Sequence, residues 1–246
     1  MGRGKESKTV EFLKKAYNSL LDSMFPEGYR CLGCGRELKS EFHSRALCDE
    51  CADSLPFKTG KLCSVCGTGI FVGTLCRHCS CALPEYDKAY APFFYEGLAR
   101  KFVLDLKSRG REYIADYMAE YMYLYYSSLG IEADIVVNVP STPRTLKRRG
   151  FDHTALIAEA FAARAELPFL SILKRISHKK DQTKLSYAER FASVGGAFGL
   201  ADASGAANKT VLLIDDVLTT GATASECAAV LKAAGAKRVN VLTFAR

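Results

Sequence analysis

Long apolar runs are missing from this chain. No stretch of its 246 residues approaches the ~20 apolar residues that cross a bilayer, so no membrane span is expected. The N-terminal "MGRGKESKTVEFLKKAYNSLL" lacks the continuous apolar segment of a secretory signal. Glu6 breaks the MG-x-x-x-S pattern of myristoylation. These absences lead to the expectation of a cytoplasmic protein. Also missing are G-x-x-x-x-G-K-[ST] and G-x-G-x-x-G, which removes the P-loop and the dinucleotide fingerprint from consideration. Charge of one sign is not abundant either. A net charge of +7 suits an anionic ligand or nucleic acid without requiring one.

Cysteine is plentiful by contrast, and unevenly placed. Of ten cysteines, nine lie between Cys31 and Cys81. Eight form the pairs Cys31/Cys34, Cys48/Cys51, Cys63/Cys66 and Cys76/Cys79. A C-x-x-C turn aims two thiolates at one ion, and a second turn completes a tetrahedral site, so the spacing predicts two structural zinc ions. Disulfides would need an oxidising compartment that nothing in the chain indicates, and an iron–sulfur cluster is the other thiolate reading. Sequential pairing suits the short hairpins offered by "GRELKSEFHSRAL" and "GTGIFVGTL", with a cross-braced order also compatible with the spacing. Four thiolates close each site, so Cys81, His43 and His78 are expected to be bystanders.

Three regions follow. An amphipathic helix is expected within 1–27, where Val10, Leu13, Ala16, Tyr17, Leu20, Leu21 and Met24 recur at helical spacing. A double zinc ribbon is expected over 28–84. The segment 85–246 reads as α/β: helices in "LARKFVLDLKSRG", "REYIADYMAEYMYLYYSSLG", "HTALIAEAFAARAEL" and "ATASECAAVLKAAGA", and strands in "DIVVNVP", "TVLLIDD" and "RVNVLTFAR". Strands alternating with helices imply a parallel sheet. The tyrosines of the second helix sit at the spacing of a packing face. Two basic clusters, Arg144/Lys147/Arg148/Arg149 and Lys174/Arg175/Lys179/Lys180, are either solvated faces or loops that follow a phosphate backbone.

The stretch "VLLIDDVLTTGAT" places Asp215 and Asp216 at the end of a buried strand and Thr219, Thr220, Gly221, Ala222 and Thr223 before a helix. A helix N-terminus carries unsatisfied N–H groups and partial positive charge, which suits a phosphate. The carboxylates can accept from sugar hydroxyls or reach a magnesium ion. A sugar phosphate satisfies both halves, and parallel sheets collect ligands at such strand ends.

This stretch closely resembles the phosphoribosyl-pyrophosphate (PRPP) motif of type I phosphoribosyltransferases. "VNVPSTPRTLKRRGFDHTALIA", "QTKLSYAERFASVGGAF" and the knuckles ahead of "APFFYEGLARKFVLDLKSRG" resemble segments of the ComF/GntX family, a double zinc ribbon joined to a phosphoribosyltransferase domain. The resemblance implies that fold for the chain. It implies PRPP, or another ribose 5-phosphate ligand, held with Mg2+ by Asp215 and Asp216 and by the 219–223 loop. It implies a pyrophosphate loop and clamp at Pro140, Ser141, Thr142, Arg144, Arg148, Arg149 and Gly150, a flap carrying Gln182 and Arg190, and a matching Lys107. Asp152-His153 replaces the usual Asn-Gln, and Thr219 replaces the aspartate of purine-salvage relatives. The implied role is in DNA uptake during natural competence, with single-stranded DNA and competence proteins as partners. Two alternatives accompany it: an active transferase on a nucleobase or amine, for which no general base is legible, and a non-catalytic single-stranded-DNA adaptor regulated by PRPP.

Overall fold

The structure is a computed structural model that describes residues 30–38, 47–109, 111–176, 197–202 and 204–246, without the side chains of 108, 109 and 204. The expected N-terminal helix, His43, Lys179, Lys180, Gln182 and Arg190 lie outside the described residues. The chain divides into two units, Met1–Ser54 and Leu55–Arg246.

In the first unit a knuckle turns on itself. Gly35 N donates to Cys31 O, Cys31 N donates to Arg36 O, and Gly35 takes φ 77°, which glycine tolerates without a Cβ penalty. A short helix α1 (Asp49–Asp53) follows, with Cys48 at its N-cap.

The second unit repeats that device. Gly67 N donates to Cys63 O, Gly67 takes φ 67°, and helix α2 (Arg77–Cys81) starts at an N-cap Cys76 whose sulfur accepts from Cys79 N. Next come β1 (Lys88–Tyr90), α3 (Gly97–Arg109), α4 (Tyr113–Leu129), β2 (Ile135–Asn138), α5 (Pro143–Arg149), α6 (His153–Ala165), β3 (Leu173–Arg175), β4 (Phe198–Leu200), β5 (Thr210–Val217), α7 (Ala222–Ala233) and β6 (Arg238–Ala245).

The four strands β1-β6-β5-β2 form one sheet in that order, every neighbouring pair parallel. β6 is buried beyond its first residue and β5 through Val211–Ile214, because both of their faces are covered. One face packs Val137, Val211, Leu213, Val239 and Val241 against Ala224, Cys227, Ala228 and Leu231 of α7, and Cys63, Cys66 and Cys79 join the same core. Elsewhere in the core the Phe102 ring stacks on Phe244 at 6.0 Å between centroids, and Phe93 meets Phe244 at a tilt at 5.0 Å. The tyrosines of α4 do pack: Tyr123 and Tyr126 meet Phe161 of α6 edge-on.

Two features depart from the sequence reading. Arg144–Arg149 is helix rather than loop: Thr142 caps it by accepting from Thr145 N, Pro143 opens it, and Gly150 closes it at φ 87°. β3 and β4 pair antiparallel outside the main sheet.

Candidate functional site

The carboxyl ends of β2 and β5 lie side by side, since Asn138 is level with Ile214 and Val139 N donates to Ile214 O. Beyond β2 the loop Pro140–Thr142 turns into α5. Asp152, the N-cap of α6, fastens this loop. Its carboxylate accepts from Ser141 N at 3.0 Å and Ser141 Oγ at 2.9 Å, and also from Thr154 N and Ala155 N. The Thr154 hydroxyl lies 2.6 Å from Val139 O. The substituted Asp152 thus organises the loop through a carboxylate where the resemblance led one to expect an amide.

Beyond Ile214, the two aspartates separate by strand alternation. Asp215 lines the cavity described below. Asp216 is buried, with Lys107 Nζ at 2.5 Å and His153 Nε2 at 3.0 Å from the same Oδ2. Arg149 Nη1 lies 3.0 Å from His153 Nδ1. A guanidinium only donates, so Nδ1 accepts there, and Nε2 is the ring nitrogen that faces Asp216. Arg149, His153 and Asp216 form a relay that Lys107 closes from α3. Burial opposes ionisation of Asp216, but His153 and Lys107 outweigh it and hold its pKa below the usual carboxylate value. Asp215 has the opposite fate: burial first, and then the charge of Asp216, raise its pKa well above that value.

After β5, Leu218 N donates to Ala245 O, and exposed Thr219 and Thr220 lead to Gly221 at φ 84°, the N-cap of α7. A Cβ at Gly221 would lie 2.8 Å from Tyr86 Oη, so glycine is required there by backbone and neighbour alike.

A cavity of about 270 Å³ opens where these parts meet. Among the described residues its cations are Lys107, Arg149 and Arg175, its carboxylate is Asp215, and its hydroxyls come from Ser141, Thr142, Thr145, Thr154 and Thr223. Such a lining suits a polyanion that also carries sugar hydroxyls. Of the residues expected here, Lys107, Pro140, Ser141, Thr142, Arg149, Asp215 and Thr223 line it together. Arg144, Arg148 and Gly150 are exposed on or after α5, Asp216 stands behind Asp215, and Thr219–Gly221 form the adjoining loop, with Ala222 opening α7. His153, Thr145, Thr154 and Arg175 were not anticipated at the site. An aspartate just ahead of a helical pattern was a legible cap signal for the His153 region, whereas Arg175 had none beyond its charge. The Arg175 guanidinium lies 4.9 Å from the Phe198 ring centre, which joins β3 to β4 beside the cavity.

The cysteines assemble into the two tetrads Cys31/Cys34/Cys48/Cys51 and Cys63/Cys66/Cys76/Cys79, each with all sulfurs within 4.8 Å of one another. The pairing is sequential. Two contacts between pairs, Cys34–Cys48 at 3.8 Å and Cys66–Cys76 at 3.6 Å, match the separation of about 3.8 Å that four Zn–S bonds of ~2.3 Å impose. The donor set therefore fits structural zinc, with no coordination position left open. Cys81 and His78 are exposed outside both tetrads, and Cys227 is buried in α7.

Sheet topology, strand-end cavity and cysteine tetrads together define a class: a type I phosphoribosyltransferase fold bearing a double zinc ribbon. The double zinc ribbon domain family matches residues 20–80, and the phosphoribosyl transferase domain family matches 146–246. The resemblance to competence proteins extends over most of the chain, which carries a double zinc ribbon region and a phosphoribosyltransferase domain. The chain is 25% identical over 226 residues to Competence protein F of Haemophilus influenzae, across 89% of this chain and 97% of that one. It is 24% identical to Competence protein ComFC of Bacillus subtilis (78% and 84% covered) and 27% identical to ComFC of Streptococcus pneumoniae (88% and 100%). Among the described residues no helix is long and apolar enough to cross a membrane.

Proposed function

We propose that the strand-end cavity binds PRPP together with Mg2+, and that the protein serves DNA uptake in natural competence from the cytoplasm. The observation that carries the ligand reading is the lining itself: among the described residues, three cations and one carboxylate around about 270 Å³, flanked by a helix N-terminal loop. In this reading Thr219–Thr223 hold the 5′-phosphate through backbone N–H groups and hydroxyls. Asp215 meets the ribose hydroxyls or the metal, with Asp216 set behind it by Lys107 and His153. Arg149, Arg175 and Lys107 face the pyrophosphate. Mg2+, when bound, neutralises pyrophosphate charge. Gln182 and Arg190 keep their proposed flap role. The competence role draws on the names of the relatives.

The test is thermal. PRPP with Mg2+ should raise Tm by mass action on the folded state, and Asp215→Asn should abolish the shift. No shift at millimolar PRPP would remove the ligand assignment. A second reading, an adaptor that binds single-stranded DNA directly, is favoured by the exposed Arg144, Lys147 and Arg148 on α5. It requires affinity to fall steeply with salt and to fall again when these residues are neutralised. Release of pyrophosphate from PRPP in the presence of a nucleobase or amine would identify a transferase.

A further inference from the structure

The second cysteine tetrad and the 219–223 loop share one set of contacts. Arg246 Nη2 donates to Cys66 Sγ at 3.2 Å, and its Nη1 donates to Leu218 O at 3.4 Å. Leu218 is the residue from which the loop departs, and its N–H is already held by Ala245 O at 3.0 Å. One guanidinium therefore joins a metal-binding thiolate to the hinge of the loop. A second route runs beside it. Tyr86 is 3% exposed and belongs to the core that contains Cys63, Cys66 and Cys79. Its hydroxyl stands over Gly221, where a Cβ would come within 2.8 Å. The adjacent Glu85 N donates to Ser225 Oγ of α7 at 2.9 Å. At the first tetrad the neighbouring Arg36 pairs instead with Glu50, both exposed.

We propose that the second zinc site and the 219–223 loop are thermodynamically linked, with Arg246 as the positioning residue between them. Four thiolates around one Zn2+ leave a net charge of about −2, and a guanidinium donor to one of them is a charge-assisted bond. Outer-shell donors of this kind tune the metal site and are oriented by it. Metal occupancy fixes Cys66, Cys66 fixes the guanidinium, and the guanidinium fixes the carbonyl from which the loop starts. Linkage is reciprocal, so a phosphate ligand that orders the loop also tightens the metal site. The inference rests on the reading that the loop holds a 5′-phosphate.

Cobalt(II) in place of zinc makes the linkage visible, because thiolate-to-cobalt absorption responds to hydrogen bonding at sulfur. The full chain, loaded with cobalt at both tetrads, is titrated with PRPP and Mg2+ while affinity is measured by calorimetry. Binding should bring a saturable shift of the thiolate bands with the same midpoint as the heat. Arg246→Met should keep two metals per chain, bind about tenfold more weakly, and show no band shift. Arg246→Lys, with one donor group where two are needed, should recover only part of the affinity, and Arg36→Met should change neither readout. Calorimetric binding by the wild type with an unchanged spectrum, or wild-type affinity in Arg246→Met, overturns the linkage and leaves the PRPP reading standing. No calorimetric binding by the wild type overturns the PRPP reading, and the linkage with it. Should Arg246→Met fail to fold, the wild-type spectrum and Arg246→Lys decide the matter.

Discussion

Adjacent aspartates usually invite identical treatment, yet neutralising Asp215 and neutralising Asp216 should move the stability of the ligand-free protein in opposite directions. Asp216 sits at 2.5 Å from Lys107 and 3.0 Å from His153, with its side chain only 6% exposed. Removing one partner of a buried pair costs about 3–5 kcal/mol. The Lys107 side chain is 27% exposed and regains some water, which favours the low end, about 3 kcal/mol. At ~2–4 °C per kcal/mol for a chain of this size, Asp216→Asn should lower Tm by roughly 6–12 °C at pH 7. Asp215 has a raised pKa from burial and from the charge of Asp216, and its Oδ1 accepts from Asp216 N, a bond that asparagine retains. Asp215→Asn should therefore raise Tm. The sign follows from linkage: a carboxyl whose folded pKa is raised makes wild-type stability greatest below the unfolded value near ~4 and lets it fall as pH climbs toward the folded value. The Asp215→Asn advantage should thus vanish near pH 4 and widen above it. For Asp216, whose folded pKa is depressed, the stability is present above about pH 4 and fades as pH falls through the folded value. Differential scanning fluorimetry across pH 4–8 reads both. Two variants that shift Tm in the same direction, or an Asp215→Asn gain independent of pH, would refute the reasoning.

Gly221→Ala should destabilise by at least about 1–2 kcal/mol, from the left-handed φ of 84° and the Tyr86 hydroxyl, and Tyr86→Phe in the same chain should return part of that loss in denaturant unfolding. Asp152→Ala should cost about 1–2 kcal/mol as a lost cap, and Asp152→Asn should recover only part of it, because an amide oxygen still accepts from Thr154 N and Ala155 N while the amide nitrogen cannot accept from Ser141 N. Metal analysis should return two zincs per chain. Cys63→Ser should leave one and disturb the near-ultraviolet spectrum of the sheet domain, whose core includes that tetrad.

Much of this was readable in the chain because the signals are local. Both tetrads are built from cysteines close in sequence, and the β5 end, the loop and α7 occupy one contiguous stretch. The long helices and strands carry their periods over eight or more residues. What escaped was short or non-local. β1, β3 and β4 span three residues each, too few to display alternation. α5 has a Thr-Pro opening and a glycine stop, but its basic run drew the reading toward charge. His153 acquires its role only by meeting Asp216 across the fold, and Arg246 touches Cys66 from 180 residues away. No pattern within a window of the sequence encodes either contact. Nor could the pair at 215–216 reveal that one carboxylate faces a cavity and the other faces a lysine.

The knuckle of the second ribbon has one more effect. β1 is the outermost strand of the sheet, hydrogen-bonded to β6 on one side, and on its other side Ala89 N donates to Val65 O at 2.7 Å. Val65 lies within the Cys63–Cys66 turn, so the metal-bearing loop occupies the open margin of the sheet. A bare margin presents unpaired backbone groups to any strand that arrives. Loss of zinc from this tetrad should therefore do more than loosen the fold: it should expose a template for self-association. Part of what a bound metal would supply is protection of that margin from association.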